Sequence, residues 1–353
     1  MKHWLLPALM ISLALISVLT LKSVAPELAN TQTIFFIISF IIFFFVSKIE
    51  FEQLLRLSLP IYILVNFLLI VSYLFGVFTE KTGRWIPIFN IFNAQPSQLA
   101  IPATIFVLLI LKQPLNNLIG LLKALLIISL SAILILIEPD LGTTLVYLIS
   151  TGSIIFLSDI SWKKIIMLIG ISVIGIIFSW MLVLKPYQKQ RITSFINSKQ
   201  DLQGSSYNAR QALIAAGSGQ LLGKGLGQGV QSHLRFLPER QTDFIFASLA
   251  EEFGFIGAIV VISLYVALIS FIIITGRKTS SPLALRYCMA IAIMTTMQAG
   301  INISMNIGIL PITGLTLPLL SYGGSSILSL SFMFAVIQSI ANQTQPKAVL
   351  HLS

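Results

Sequence analysis

The stretch from Leu118 to Ser158 reads LIGLLKALLIISLSAILILI (118–137), EPD (138–140) and LGTTLVYLISTGSIIFLS (141–158). Its first part carries a single charge, Lys123, and its last part carries none. A helix that crosses the hydrocarbon needs about 20 mostly apolar residues, so the stretch reads as two membrane helices joined at a Glu-Pro-Asp corner. Pro139 ends the first helix, and Asp140 stands where it can cap the second. The runs are too long for membrane strands and lack strict polar/apolar alternation.

The same reading extends outward in both directions. Ten spans are predicted: Leu5–Leu21, Phe35–Ser47, Leu57–Phe78, Leu99–Leu111, Leu118–Ile137, Leu141–Ser158, Ile165–Leu184, Ile245–Gly276, Arg286–Leu310 and Leu317–Asn342. The 353 residues are 56% hydrophobic and 10% charged, with a mean hydropathy of +0.94. A soluble domain carries about 25% charged residues, so a soluble enzyme, a disordered tail protein and a DNA-binding module are excluded. The chain reads as one all-α polytopic membrane domain over residues 1–353. Lys2 and the small residues Ser23 and Ala25 also fit a signal peptide, but the longer apolar core and Pro26 favour a retained first helix. From Tyr287 to Pro346 no residue is charged, and Gly308, Pro311, Gly314 and Pro318 break the run into two helices with an irregular link. Cys288 is alone in an apolar setting and reads as a buried, inert thiol.

Ten spans place both termini on one side. With the termini in the cytoplasm, the inner loops hold Lys2, Lys48, Arg56, Lys112, Lys123, Lys163, Lys164, Arg277, Lys278, Arg286 and Lys347, and the short outer loops hold Lys22, Lys81 and Arg84. That bias sets the orientation. The net charge of +10 is scattered between apolar runs, which points to membrane lipid rather than nucleic acid. One long extracytoplasmic segment remains between the seventh and eighth spans, residues 185–244. Connections of that length are usually functional. From Lys185 to Thr242, Lys185, Lys189, Arg191, Lys199, Arg210, Lys224, Arg235 and Arg240 stand against only Asp201 and Glu239. A cationic loop on a bilayer suits an anionic, lipid-borne ligand, or simply lipid headgroups.

Within this segment, Gly217-Ser-Gly-Gln-Leu-Leu-Gly-Lys-Gly-Leu-Gly-Gln-Gly229 fails the P-loop pattern, with Ser218 and Gly225 at the deciding positions. It reads either as a flexible loop or as a backbone nest for phosphate beside Lys224. In Pro238-Glu-Arg-Gln-Thr-Asp-Phe-Ile-Phe-Ala247, Asp243 stands where the loop re-enters an apolar helix. An acid at such a boundary is functional by default, desolvation lifting its pKa toward that of a general base. The alternative is that Thr242 or Asp243 merely caps the helix. Glu251 and Glu252, two turns on, would pair with an arginine or line a polar cavity. Trp85 fits an interface anchor. Gly83-Arg-Trp-Ile86 and Gln95-Pro-Ser-Gln-Leu99 lie in an outer loop before the fourth span, whereas Pro311-Ile-Thr-Gly314 and Pro318-Leu-Leu-Ser-Tyr-Gly-Gly-Ser-Ser326 put irregular backbone near membrane depth, which requires surrounding protein or a water-filled cavity. His3, His233 and His351 are isolated, and no metal-ligand cluster is expected.

These motifs resemble the SEDS family (shape, elongation, division, sporulation) of RodA and FtsW proteins. The matching stretches are Gly83–Ile86, Gln95–Ser97, Pro139–Thr143, Gly223–Gly227, Leu237–Phe246, Glu251-Glu252 and Pro318–Ser325, in family order over roughly three quarters of the chain. Tyr187-Gln…Arg191-Ile, Tyr207-Asn and Phe236-Leu-Pro-Glu look more like the RodA branch. The resemblance implies a peptidoglycan glycosyltransferase of the bacterial cytoplasmic membrane that polymerises lipid II, a disaccharide-peptide on a polyprenyl pyrophosphate, beside a class B penicillin-binding protein. The rival readings are a lipid II flippase and a non-catalytic scaffold for that partner. By motif the essential aspartate falls on Asp243, expected as general base. Arg191, Arg210 and Lys224, then Arg84, are expected to meet the pyrophosphate. Trp85, Gln95, Ser97, Asp140, Glu251, Ser321, Tyr322 and Gly323 complete the expected substrate site. A divalent cation, Mg or Mn, bridging phosphate and Asp140 or Asp243 would share the leaving-group charge. The family commonly has Glu and Lys where this chain has Gln98 and Ile101.

Overall fold

The computed structural model describes residues 4–79, 84–88, 92–112, 115–196, 205–234 and 236–344. Lys2, His3, Lys81, Gly83, Lys199, Asp201, Arg235, Lys347 and His351, all invoked above, lie outside the described residues.

The protein is a polytopic all-helical membrane protein. The helices are α1 (Leu5–Val24), α2 (Pro26–Val46), α3 (Phe51–Arg56), α4 (Ser58–Thr79), α5 (Pro96–Leu109), α6 (Leu118–Ile137), α7 (Leu141–Phe156), α8 (Trp162–Phe178, continued by a π turn over Ser179–Val183), α9 (Pro186–Ile196), α10 (Ser205–Ser218), α11 (Val230–His233), α12 (Ile245–Lys278), α13 (Pro282–Asn306) and α14 (Gly324–Gln343). Eight of these are long and apolar enough to cross a membrane, and the shorter apolar α5 and α7 fall on the predicted fourth and sixth spans. Two boundaries differ from the sequence reading. α2 starts at Pro26, because proline is well placed in a first helical turn, and polar Asn30, Thr31 and Gln32 did not break it. α14 starts only at Gly324, because the Pro318–Gly323 segment stays irregular. A two-stranded hairpin, β1 (Ile86–Ile88) with β2 (Phe92–Ala94), precedes α5.

α14 lies at the centre, packed on α2 and α5, while α13 fills the space between α7 and α12. α1 belongs to this core, with Leu6, Leu13 and Leu21 buried and the Ser17 hydroxyl donating to the Leu320 carbonyl at 2.7 Å. Cys288 is buried, as expected, against Gly276, where an added Cβ would meet the Cys288 Cβ at 2.8 Å. α8 stands apart: Leu168 is its single buried residue, and Ile166, Ile174, Ile176 and Phe178 are exposed.

The link from Ile307 to Gly323 turns at Gly308, Gly314 and Leu319, all with positive φ. Its carbonyls are not left to lipid. Asn302 donates to Leu315 at 2.6 Å, Tyr265 to Pro318 at 2.5 Å and Gln32 to Ser321 at 3.1 Å. Gln298 reaches the Thr316 hydroxyl at 3.3 Å. Irregular backbone survives here because protein side chains take the bonds that hydrocarbon cannot offer.

The long segment between α8 and α12 is not a bare loop. α10 buries Ala212 and Ala215 under Leu237 and Phe244. The glycine-rich run then packs on α12, which breaks at Gly254 (φ 68°, ψ −165°). The Lys224 and Gly225 amides donate to the Glu251 and Glu252 carbonyls at 3.0 Å each, and the Phe255 amide donates to the Gln220 carbonyl at 2.8 Å. These bonds satisfy backbone groups that the break releases. The contact admits no side chain: a Cβ on Gly223 would lie 2.1 Å from the Glu252 carbonyl oxygen, and one on Gly254 would lie 2.3 Å from the Gly223 nitrogen.

Candidate active site

A cavity of about 1640 Å³ opens beside the α6–α7 corner. Polar groups crowd its upper wall: Arg84, Gln95, Asp140, Arg191, Asp243 and Tyr322. From them it continues as a mostly apolar groove between α6, α7 and α8, past Leu148, Gly152 and Ile176 to Leu157.

Asp243 sits just before α12. The first residue flanking that helix is Phe244, and no side chain caps it. The Thr242 hydroxyl turns back instead to the Glu239 carbonyl and carboxylate, at 3.2 and 3.0 Å. The capping alternative for Asp243 therefore fails, and its carboxylate is left facing the cavity. Its backbone is held firmly: Asn302 and Asn306 on α13 both donate to the Asp243 carbonyl, at 3.1 and 3.0 Å. Asn306 also accepts the Ala247 amide at 3.1 Å. On the other side Ser321 donates to the Thr242 carbonyl at 2.6 Å, and the Tyr322 amide donates to Gln241 at 2.8 Å. Burial pushes the Asp243 carboxyl up to about 6; Glu239 and Asp140 add to the rise, while Arg191 and Arg84 oppose it.

Arg191 comes from α9 and flanks the same space. A Cβ on Gly314 would lie 3.3 Å from the Arg191 Nη1 and 3.7 Å from the Asp243 Oδ2. Gly314 thus keeps open the gap between cation and acid. Arg84 reaches the corner of α6 and α7, donating to the Glu138 carbonyl at 2.7 Å and to the Pro139 carbonyl. Gln188 on α9 shares the Pro139 carbonyl at 3.3 Å, which ties α9 and its Arg191 to that corner.

Of its two expected readings, the structure shows the cap for Asp140 and places the side chain on the cavity wall. It caps α7, accepting the Thr143 amide at 3.1 Å and hydroxyl at 2.9 Å, and it also accepts Gln95 at 2.7 Å on the cavity wall. Glu138, missed by the sequence reading, is buried beneath it. Burial, with help from Asp140, raises its carboxyl to about 8, against the opposing Ser72 hydrogen bond and the Arg84 charge.

Trp85, Gln98 and Gly323 also line the cavity, whereas Ile101 is buried in the apolar core. Five expected site residues lie off the cavity wall. Lys224 pairs with Glu251 at 3.0 Å, and Glu251 also accepts the Gln231 amide at 3.0 Å and the Ser232 hydroxyl at 2.7 Å. Both residues fasten the glycine-rich run to α12, and of the amides read as a phosphate nest those of Lys224 and Gly225 are already spent on α12 carbonyls. Glu252 meets Ser23 and His233, not an arginine. Arg210 is exposed on α10. Ser97 is fully buried in α5, and Ser321 spends its hydroxyl on Thr242 and Leu317. Asn302, Asn306 and Gln32 were missed altogether; their one signal is an amide side chain placed inside an apolar helix.

No three His, Cys, Asp or Glu side chains come together to hold a metal ion among the described residues. Asp140 is further occupied by Thr143 and Gln95.

Comparison with known proteins agrees with this architecture. The solved chain reported under "Structural coordination of polymerization and crosslinking by a peptidoglycan synthase complex" superposes with a TM-score of 0.80 at 23% identity, covering 98% of both chains. The probable peptidoglycan glycosyltransferase FtsW of Marinobacter nauticus is 37% identical over 77% of this chain and 69% of its own. Peptidoglycan glycosyltransferase MrdB of Escherichia coli K12 is 34% identical over 79% of this chain and 76% of its own. Such close figures do not separate the RodA branch, to which MrdB belongs, from FtsW. The family model described as a cell cycle protein (FtsW, RodA, SpoVE) matches residues 1–346, and the chain belongs to that family.

Proposed function

We propose that this protein is a peptidoglycan glycosyltransferase that polymerises lipid II into β-1,4 glycan strands at the outer face of the bacterial cytoplasmic membrane, in cell elongation or division. The observation that carries the reading is Asp243: uncapped, pinned by Asn302 and Asn306, and facing a cavity it shares with Arg84 and Arg191. The names of the relatives and the positive-inside bias of the loops support it.

The cavity suits an amphiphile with an anionic middle. A polyprenyl chain would follow the apolar groove between α6, α7 and α8, and its pyrophosphate would lie near Arg191 and Arg84. Asp243 accepts the proton of the acceptor 4-hydroxyl, a step worth roughly 10²–10⁴-fold. The freed oxygen attacks the donor's anomeric carbon, the bond to the pyrophosphate oxygen breaks, and the two electrons leave with polyprenyl pyrophosphate. Fixed guanidinium charge stabilises that developing anion. Attack from the face opposite the leaving group turns the α-linked donor into a β-linkage. Gln98 stands on the cavity wall where the family commonly has glutamate, so the charge there is one less negative.

A class B penicillin-binding protein is proposed as the partner that cross-links the product; the shared fold with a chain of a peptidoglycan synthase complex supports it. The groove reaches the far end of α7 at Leu157, and this length also suits a lipid II transporter. Purified protein in liposomes, given lipid II on the outer side only, separates the readings. The glycosyltransferase makes polymer there; a transporter or a scaffold makes none.

A further inference from the structure

At the end of the bundle away from Asp243, α12 finishes on Arg277 and Lys278, and α13 begins at Pro282 with Arg286 one turn in. α12 runs from its break at Gly254 to Lys278, roughly 35 Å of helix, so this end lies far from Asp243. A second cavity of about 430 Å³ opens here between the end of α7 and the α12–α13 corner. Its wall is Leu157, Arg277, Pro282, Leu285, Arg286 and Met289. Arg286 is half-buried and Arg277 exposed. Among the described residues neither arginine has a carboxylate within ion-pair distance, and no step of the proposed reaction uses them.

Two guanidinium groups on one small cavity repel each other unless an anion lies between them. Their planar forks match phosphate oxygens in paired hydrogen bonds. A freely hydrated anion would gain nothing from Leu157, Leu285 and Met289, whereas an acyl chain would. Basic pockets between membrane helices are known to take anionic lipid headgroups. Leu157 also belongs to the foot of the catalytic groove, so an occupant here would close that groove from below.

We propose that this second cavity binds an anionic phospholipid of the leaflet opposite the catalytic site, its phosphate between Arg277 and Arg286 and an acyl chain against Leu157, Leu285 and Met289. The test titrates the purified full chain in detergent with phosphatidylglycerol, phosphatidylcholine or inorganic phosphate, and reads bound lipid by native mass spectrometry and melting temperature. Phosphatidylglycerol is expected to bind at a discrete stoichiometry and raise the melting temperature, with the other two inert. The double variant Arg277→Gln, Arg286→Gln should bind it on the order of 30-fold more weakly, at about tenfold or less per lost charge near the surface. Lys112→Gln with Lys163→Gln, which removes two charges elsewhere at the same end, should leave binding unchanged. Met289→Trp, which fills the cavity and keeps both charges, should also lose the lipid, and it decides the matter should the arginine variant not fold. Equal binding by the double arginine and Met289→Trp variants, equal loss in the lysine variant, or a shift reproduced by inorganic phosphate would each overturn the assignment.

Discussion

Asp243 is placed where its ionisation works against the fold. Its carboxyl is pushed up from 3.8 to about 6, first by burial and then by Glu239. A raised carboxyl pKa means that the folded state prefers the protonated form. That preference contributes fully below pH 4 and is lost as the pH rises through about 6. At neutral pH the charged carboxylate therefore costs stability, up to about 3 kcal/mol. Asp243→Asn should raise the melting temperature at pH 7.5, and the gain should shrink toward pH 4. Polymerisation needs the carboxylate, so its rate should fall about tenfold per pH unit below 6, a limb read from initial rates on lipid II. Asn306→Ala removes one of the two donors to the Asp243 carbonyl and the acceptor of the buried Ala247 amide. It should cost about 1–3 kcal/mol in melting experiments and lower kcat more than it raises KM. Asp243, Asp140, Arg84 and Arg191 were legible in the sequence because charge beside apolar helices is expensive and therefore conspicuous. Asn302 and Asn306 were not, since an amide four residues from another inside an apolar run signals nothing about the backbone it will hold.

At the scale of elements, the decisive joint is the break of α12 at Gly254 against Gly223. The glycines of 217–229 read as flexibility or as a nest for phosphate, yet Gly219 and Gly223 are there for contact with α12. Backbone meets backbone, and the Lys224 and Gly225 amides serve the Glu251 and Glu252 carbonyls. Pattern alone could not show this, because a glycine that approaches a ligand and one that approaches a helix look the same in sequence. Gly223→Ala puts a methyl group 2.1 Å from the Glu252 carbonyl oxygen at a φ of 81°. It should cost at least ~2 kcal/mol, seen as a lower melting temperature and poor yield. Lys224→Gln, by contrast, should leave polymerisation within a few-fold of the parent, because Glu251 keeps the Gln231 and Ser232 bonds. A loss of a hundredfold or more there would return Lys224 to the substrate site. The ten apolar helices were legible from run length and hydropathy. The helices inside 185–244 were not, since that segment carries mixed polar and apolar residues without a strong period.

Across the whole molecule, a polar chamber sits above a long apolar groove. α8 forms one wall of that groove while burying almost nothing of itself. This division matches a substrate with a charged, sugar-bearing head and a hydrocarbon tail, and the groove should contribute to binding rather than chemistry. Gly152 lies in the groove wall with nothing within 4 Å of an added Cβ. Gly152→Trp should raise KM for lipid II bearing a full-length polyprenyl chain several-fold, leave kcat within about twofold, and have little effect on a short-tailed analogue. The most direct test of the account is the rate of glycan formation from externally supplied lipid II by the purified Asp243→Asn protein, reconstituted with a class B penicillin-binding protein and compared with the parent. The account expects at least a hundredfold loss of polymer from a variant that melts at the same or a higher temperature. Polymer made at the parent's rate would contradict it.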